Sequence, residues 1–471
     1  MTRKRILLSP VLIFIIAGIT GCLYLNSCGN GKQSDMTKKT NMPLAGYSEV
    51  VNQDWVKNAV IYEVNIRQYT PEGTFNAFSG HLPRLKSLGV DILWLMPIYP
   101  IGQMNRKGEL GSYYSVRDYK AINSEFGNLD DFKALVRKIH EMGMHVIIDW
   151  VPNHSSWDNI LTLEHPDYYK TDEDGNFIAP FDWTDVIQFD YSNKGLRKYM
   201  IDAMKYWLAE TDVDGFRYDV AHMVPVDFWE EVRPELEKVK PVFMLAESDQ
   251  PELNRKAFDE TYGWPFHSLM NDIASGKKTA NAISTLFSRV DSIYPAGSII
   301  MEFTSNHDEN SWNGTEYERL DGGVKTFAVL AAMVPGMPLI YSGQEVGMNK
   351  RLKFFEKDTI EWKESEMTDF FKNLISLKHR NEALWNGKFG GTLTRITSTN
   401  NKAVYAFLRE KGKDRVFVVL NLTKEPAVVT LKGKLYRGSY RDVFSGKDVS
   451  FRKDESIALQ PWDFRVYEKN E

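Results

Sequence analysis

Cysteine is almost absent from this chain of 471 residues. The two that occur, Cys22 and Cys28, lie close to the N-terminus. The rest of the chain therefore has no disulfide bonds and no thiolate ligands for a metal. A strong excess of charge is also lacking, because the formal net charge is −5. Nothing in this balance provides the basic surface that a nucleic-acid partner requires.

Long apolar runs are scarce, apart from one at the N-terminus. Arg3, Lys4 and Arg5 precede an almost wholly apolar stretch over residues 6–19. Two lipobox-like sites follow, at residues 19–22 and 25–28, each with a small residue just before its cysteine. We interpret residues 1–28 as a bacterial lipoprotein signal peptide and residues 29–45 as a polar, flexible tether.

An uncleaved membrane anchor is the alternative for this segment. The apolar run extends to Leu25, and a spanning helix needs about 20 apolar residues. Which cysteine carries the lipid stays open. Either interpretation exports the protein and attaches it to a membrane, at the periplasmic side or the cell surface.

Short apolar runs alternate with amphipathic stretches over residues 46–384. Continuous apolar runs of this length are typical of parallel strands buried on both faces. The predicted strands are residues 60–64, 91–96, 145–149, 213–217, 242–245, 299–303 and 338–341, with a weaker one at 258–262. Predicted helices include residues 128–142 and 193–210. Eight such units predict an α/β fold, a (β/α)8 TIM barrel. An open doubly wound sheet is disfavoured, since no glycine-rich loop follows the first strand.

Two further segments depart from this alternation. Residues 154–185 form a polar and aromatic insertion after the third barrel strand, and a loop of that length is usually functional. Residues 385–471 show strand patterns separated by turn residues and no helical period. They predict a C-terminal antiparallel β-sandwich.

Acidic residues occur at the ends of several predicted barrel strands. Asp149, Asp219 and Glu247 end the third, fourth and fifth strands, and Asp308 follows the seventh. Such positions face one shared cavity in a barrel. Arg217 lies two residues before Asp219, so both point to the same side of the strand, where the arginine would keep the carboxylate ionised.

Paired carboxylates of this kind suit glycoside hydrolysis. The reaction needs one ionised carboxylate and one protonated acid on opposite sides of the scissile bond. Glu247 ends an apolar strand, so we expect burial and nearby acids to raise its pKa and keep its proton available.

The order of these segments resembles the α-amylase family of glycoside hydrolases. Residues 149–154 (DWVPNH), 215–219 (GFRYD), 246–247 (AE) and 306–308 (NHD) are similar to its four signatures, and residues 186–190 (VIQFD) to a further family segment. The likeness covers residues 51–471. The resemblance implies that Asp219 is the nucleophile, that Glu247 is the general acid and then base, and that Asp308 binds sugar hydroxyls in the transition state.

The resemblance also implies substrate contacts and supporting residues. It implies sugar binding at the cleavage position by Tyr114, His154 and His307, with Arg217 as the partner of the nucleophile. Asp149 and Asn153 are predicted to be structural residues beside the site.

One departure from the family pattern concerns the residues after the nucleophile. Many relatives that cleave polymers carry Lys-His where this chain has His222 and Met223. This removes a usual sugar contact and weakens the case for the family's calcium site, although the insertion has acids at 172–174. We expect no cofactor in the chemistry, and a structural calcium ion and its ligands stay unassigned.

Three hypotheses follow for function. The first is a retaining glycosidase that cleaves α-1,4-glucosidic bonds in starch-derived glucans or maltooligosaccharides. The second is a transglycosylase or exo-acting α-glucosidase with the same first step. The third is a non-catalytic glucan-binding protein, which the presence of all three acids disfavours.

Overall fold

The computed structural model describes residues 46–469. The predicted signal peptide, lipidated cysteines and tether lie outside the described residues. Within the described part, the first strands are β1 (Ile61–Val64), β2 (Ile92–Leu95), β3 (His145–Trp150), β4 (His154–Ser156), β5 (Val186–Gln188), β6 (Gly215–Tyr218), β7 (Phe243–Ala246), β8 (Glu260–Tyr262), β9 (Ile299–Glu302) and β10 (Met337–Tyr341).

Eight of these strands close into a parallel barrel in the order β1-β2-β3-β6-β7-β8-β9-β10, with β10 pairing back to β1. The predicted TIM barrel is therefore confirmed. The strand that was predicted from a weaker pattern at residues 258–262 is present as β8. The strands alternate inward and outward, and apolar inward side chains such as Ile61, Ile92 and Leu245 fill the interior. Near the carboxyl ends of the barrel strands, the inward-pointing side chains are polar. The candidate functional site therefore lies at that end of the barrel.

Gly215 explains one position of the second signature. A Cβ added to it would lie 1.9 Å from the backbone oxygen of Phe243 on the neighbouring strand β7. Any side chain would push β6 and β7 apart. The glycine therefore keeps Arg217 and Glu247, farther along the same two strands, within reach of each other.

The helices surround the barrel and cover its outer face. They are α1 (Ile66–Tyr69), α2 (Phe75–Ser79), α3 (Leu82–Leu88), α4 (Leu129–Glu141), α5 (Leu161–Glu164), α6 (Lys194–Thr211), α7 (Val226–Glu237), α8 (Leu253–Lys256), α9 (Trp264–Ala274), α10 (Asn281–Ile293), α11 (Glu316–Leu320), α12 (Val324–Met333) and α13 (Glu366–Arg380). The two predicted helices are confirmed as α4 and α6. Asn128 caps α4 in a capping box with Asp131, and Asn193 caps α6.

The C-terminal part is antiparallel, as predicted. Its strands are β11 (Thr392–Ile396), β12 (Val404–Lys411), β13 (Asp414–Asn421), β14 (Ala427–Thr430), β15 (Gly438–Asp442), β16 (Asp448–Phe451), β17 (Ser456–Leu459) and β18 (Phe464–Lys469). Six of them form one sheet in the order β11-β12-β13-β18-β15-β16, and β14 pairs with β17. Both groups contribute to one apolar core, which contains Phe417, Val429 and Leu459.

The stretch after β3 carries the predicted insertion. Its ends pair as the antiparallel strands β4 and β5, and α5 lies between them. Within residues 46–469, no helix is long and apolar enough to cross a membrane.

Candidate active site

The barrel brings the four predicted acids to one rim. Asp149 lies in β3, Asp219 and Glu247 follow β6 and β7 directly, and Asp308 lies beyond β9. Parallel strands point their carboxyl ends to the same face, so residues far apart in sequence meet there. Asp149, Asp219 and Glu247 are buried, while the side chain of Asp308 keeps 35% of its surface exposed.

Arg217 is the fully buried cation that joins three of these acids. Its Nη1 donates to Asp149 Oδ1 at 2.9 Å and to Asp219 Oδ1 at 3.0 Å. Its Nη2 lies 2.8 Å from Glu247 Oε2. The predicted pairing of Arg217 with Asp219 is present, and the guanidinium also offsets the charges of two further carboxylates.

The turn after Asp219 aims a backbone donor at Glu247. Val220 has φ +38°, a left-handed conformation that is strained for a β-branched residue. In this conformation its N–H donates to Glu247 Oε2 at 2.8 Å. Strain at this position is the cost of holding the Glu247 carboxylate in place.

The expected rise of the Glu247 pKa is wrong for the substrate-free site. Burial raises that pKa, but the charge of Arg217 and the Val220 N–H outweigh burial and lower it below its ordinary value. Burial and the neighbouring charge of Glu247 instead raise the pKa of Asp219 well above its ordinary value. Burial and nearby acids can be read from the sequence, whereas the contact of Arg217 with both carboxyls cannot.

A second ionic group surrounds His307. Its Nδ1 donates to Glu63 Oε1 at 2.5 Å, and its Nε2 lies 2.9 Å from the Tyr114 hydroxyl and 3.3 Å from Asp308 Oδ2. Burial opposes protonation, but Asp308 and Glu63 raise the His307 pKa to about 9. At neutral pH His307 is therefore a cation and donates from both ring nitrogens.

Glu63 is a site residue that the sequence analysis missed. It is fully buried near the end of β1 and points inward beside His307. The available signal was an acid inside an otherwise apolar barrel strand, in a run that had been assigned to the core. Tyr262 was missed as well, and its hydroxyl accepts from Arg217 Nε at 3.1 Å.

Tyr114, rather than its neighbour Tyr113, reaches the acids. Its hydroxyl donates to Asp149 Oδ2 at 3.0 Å, and its ring lies parallel to that of His307, with centroids 5.5 Å apart. Tyr113 instead packs under the guanidinium of Arg67. The structure thus brings Tyr114 to the predicted place in the site.

His154 is buried close to Asp219 and stays neutral. Burial lowers its pKa to about 3. Asn153 Nδ2 donates to His154 Nδ1 at 3.2 Å, so the ring proton is on Nε2, which lies 3.9 Å from Asp219 Oδ2. Asp149 accepts from Arg217 and Tyr114, and Asn153 donates to His154.

The amide oxygen of Asn153 accepts from Gln188 Nε2 at 3.4 Å. Among residues 46–469, no three His, Cys, Asp or Glu side chains come together as a metal site. Asp172 in the insertion instead accepts from the backbone of its own turn.

A parallel barrel with a buried carboxylate pair and a third acid at its carboxyl rim has the arrangement of a glycoside hydrolase. The family model for the α-amylase catalytic domain matches residues 29–415, and that for the maltogenic amylase C-terminal domain matches residues 394–466. The chain therefore belongs to the α-amylase family, and the predicted family and glycosidase class are confirmed.

Solved structures of known proteins share this fold. A noncanonic maltogenic α-amylase from Thermotoga neapolitana is 32% identical with a TM-score of 0.81, covering 88% of this chain and 100% of that one. An α-amylase from Lactobacillus plantarum is 31% identical with a TM-score of 0.79, covering 89% and 100%. The α-amylase MalA of Haloarcula japonica is 27% identical over 87% of this chain, which spans 62% of that protein's length.

Proposed function

We propose that this enzyme is a retaining glycosidase that cleaves α-1,4-glucosidic bonds in starch-derived glucans or maltooligosaccharides. The observation that carries the proposal is the contact of one guanidinium, that of Arg217, with both Asp219 and Glu247. This favours the short separation that double displacement needs, about 5–5.5 Å, over the wider gap of inverting enzymes.

The proposed roles follow the sequence prediction. Asp219 attacks the anomeric carbon, while Glu247 protonates the leaving oxygen and later activates water. Asp308, His307 and Tyr114 surround the sugar at the cleavage position, and neutral His154 donates its Nε2 proton to a sugar hydroxyl or ring substituent. His307 contributes a positive charge that binds oxygen atoms of the sugar.

The reaction requires a redistribution of protons within the carboxylate pair. In the free site the pKa of Asp219 is raised and that of Glu247 is lowered, whereas attack requires Asp219 ionised and Glu247 protonated. Both carboxyls contact Arg217, so a proton has only to pass from one carboxyl to the other. Positive charge that develops on the sugar stabilises ionised Asp219 and favours this transfer.

Substitution of the two acids tests the mechanism. We expect Asp219→Asn and Glu247→Gln each to lower kcat on maltooligosaccharides by about 10²–10⁴-fold, with the fold intact. Asp227→Asn, at an exposed acid on α7, is the matched control and keeps full activity. Full activity in both active-site variants would reject the mechanism. NMR spectra recorded during the reaction check retention, because a retaining enzyme releases the α-anomer of the product first.

A transglycosylase or exo-acting enzyme is the second candidate. The favouring observation is the match of residues 394–466 to a maltogenic amylase C-terminal domain. A time course on maltotriose separates hydrolysis from transfer, because products longer than maltotriose then require transfer to a sugar instead of to water. On starch and pullulan, release of a single short product from the start indicates exo action, whereas a range of lengths indicates endo cleavage.

The proposal includes no cofactor in the chemistry. We expect dialysis against EDTA to leave kcat unchanged. A fall in melting temperature that calcium restores would instead identify a structural ion. Export and attachment to a membrane through a lipidated cysteine also belong to the proposal.

A further inference from the structure

A cavity of about 310 Å³ lies on the outer wall of the barrel, beneath α10. Ile299 and Met301 of β9 belong to the apolar cluster that fills the barrel interior. Ile300 and Glu302 alternate with them along the strand, so they point outward, where both line the cavity. The cavity therefore lies on the helix side of the barrel wall, whereas the catalytic side chains project from its inner side.

The cavity exists because α10 covers β9 incompletely. Of the thirteen residues of α10, only Ile283 and Phe287 are buried. Val290 of the same helix is half-buried beside the cavity, and Ile300 is the one residue of β9 that is not buried. A second cavity of about 330 Å³ adjoins the first and shares with it the lining residues Phe287, Val290, Tyr294 and Ile300. Protein interiors are usually close-packed, so this much open space beneath one helix is unusual.

Glu302 brings an unpaired polar atom to the wall of this cavity. The residue is only 2% exposed, and its Oε2 has no hydrogen-bond partner. A Cβ added to Gly263, which also lines the cavity, would lie 2.4 Å from that oxygen. The carboxyl therefore lies against a residue that has no side chain to cover it. A buried polar group without a hydrogen bond destabilises the fold, so this oxygen gains from a ligand that bonds to it.

The environment of the Glu302 carboxyl favours its neutral form. Burial and the charge of Glu260 raise its pKa well above the ordinary value, and no basic side chain among residues 46–469 opposes this rise. A protonated carboxyl holds a hydrogen-bond donor and an acceptor side by side. Its complement is an uncharged group with the same pair, such as a carboxamide. A charged group would instead have to lose its hydration in a mainly apolar cavity.

The other walls of the cavity suit the apolar body of a small molecule. Phe266, Phe287 and Ile300 are among the apolar residues that line it. Tyr294 lies at the end of α10, and its hydroxyl donates to the backbone oxygen of Asp249 in the loop after β7, at 2.8 Å. This bond joins two walls, so a ligand does not have to order them. A mainly apolar cavity of about 300 Å³ or more, with few polar groups, is typical of small-molecule sites.

We propose that the cavity beneath α10 is a binding site for an uncharged small molecule with a carboxamide, or an equivalent donor and acceptor pair, on an apolar body. Glu302 pairs with the polar group of this molecule, and the apolar walls beneath α10 surround its body. The site is distinct from the glucan site at the carboxyl rim. It does not depend on the proposed function, because binding here requires no glucan.

Four probes that share one ring and differ in their polar group test the chemistry of the site. They are benzamide, toluene, benzylamine and benzoate, and the last two are charged at neutral pH. Saturation-transfer NMR titrations of the wild-type protein give the dissociation constants. We expect benzamide to bind about 10-fold more tightly than either charged probe. A charged probe that binds as tightly as benzamide would overturn the uncharged ligand class, and no binding of benzamide would overturn the site.

Two substitutions of Glu302 separate recognition from packing. Glu302→Gln keeps a donor and an acceptor, so we expect it to keep the affinity for benzamide. Glu302→Leu removes both, and we expect it to weaken benzamide binding about 10-fold while the affinity for toluene is unchanged. Equal affinities of the two variants for benzamide would contradict the pairing with Glu302, and melting curves establish that each variant is folded.

A substitution on α10 tests the location without changing Glu302. Val290→Trp places a large ring in the cavity, and we expect it to abolish benzamide binding. Ser288→Trp, at an exposed position of the same helix, is the matched control and keeps the binding. Benzamide bound at any other place on the protein would still bind to Val290→Trp, so unchanged affinity in that variant would overturn the proposal. This comparison decides the matter even if a Glu302 variant fails to fold.

Discussion

At the scale of single residues, Arg217 and Glu63 set the protonation states of the site. Burial raises the pKa of each of the three carboxyls around Arg217, and the charge of the guanidinium opposes that rise. Glu63 sits behind His307 and, with Asp308, keeps that ring positive. Neither effect depends on exposure to solvent, because Arg217, Glu63 and His307 are all buried.

The raised pKa of His307 predicts how the free energy of unfolding changes with pH. A histidine whose folded pKa is about 9 stabilises the fold fully below pH about 6.5, and this contribution is lost as pH rises through 9. Glu63→Gln removes one of the two carboxylates responsible. We expect it to cost about 1–2 kcal/mol more at pH 6 than at pH 9.5 in urea unfolding.

Glu72→Gln is the control for this comparison, since Glu72 is an exposed glutamate in the following loop. Its effect on unfolding should be small and equal at both pH values. A Glu63→Gln cost that does not change between pH 6 and pH 9.5 would contradict the assignment of His307 as a cation.

At the scale of elements, the insertion between β4 and β5 contributes an aromatic edge to the site. The ring centroid of Trp183 lies 5.5 Å from that of His154, and the ring centroid of Phe181 lies 5.4 Å from that of Trp183. Phe181 is 74% exposed and has φ +53°. A left-handed conformation of a bulky residue costs of order 1–3 kcal/mol. Its exposed ring gains little from burial, so a contact with substrate explains it better than packing.

Relief of this strain should separate stability from binding. We expect Phe181→Gly to leave the melting temperature unchanged or to raise it, because glycine adopts positive φ without strain. We also expect it to raise KM for starch several-fold through loss of the ring. Asp454→Gly, which has φ +56° in a C-terminal turn, is the matched control. Loss of stability without a change in KM would show that Phe181 is only structural.

The capping box of α4 gives a prediction at the same scale. The Asn128 side chain accepts from the backbone of Asp130 and Asp131, and the Asp131 side chain accepts from the Asn128 N–H. We expect Asn128→Ala to cost about 1 kcal/mol in thermal or urea unfolding and to leave kcat unchanged, since α4 lies outside the site. Asn281→Ala, at an exposed first position of α10, should cost less.

At the scale of the whole molecule, the barrel and the C-terminal sheet share buried polar contacts. Arg409 of β12 is buried, and its Nη1 donates to the backbone oxygen of Met333 at the end of α12, at 2.9 Å. The Thr326 hydroxyl donates to the backbone of Trp462. These contacts join the sheet to the side of the barrel, away from the catalytic rim.

Attachment of the protein to a membrane is tested at this scale too. We expect the full chain, made in a bacterial host, to sediment with membranes and to carry a lipid on one cysteine. Cys22→Ala and Cys28→Ala are each other's controls, because only the lipidated position should release the protein when changed. Membrane association of the double variant would favour an uncleaved anchor instead, and mass spectrometry of the mature N-terminus identifies the site.

Much of the fold follows from local patterns along the chain. Runs of buried β-formers, the caps of α4 and α6 and the turn-rich C-terminal strands each depend on neighbouring residues, so eight barrel strands and an antiparallel sheet could be predicted. The acids at strand ends could be predicted for the same reason, since a barrel places strand ends together.

Only the tertiary structure decided how those acids interact. The sequence determined that Asp219, Glu247 and Asp308 meet at one rim, but their charges depend on distances between residues from different strands. Arg217 reaching Glu247 reversed the expected pKa, and Glu63 reached His307 across 244 positions of sequence. Electrostatic energy varies with separation and burial, and neither is set until the barrel closes.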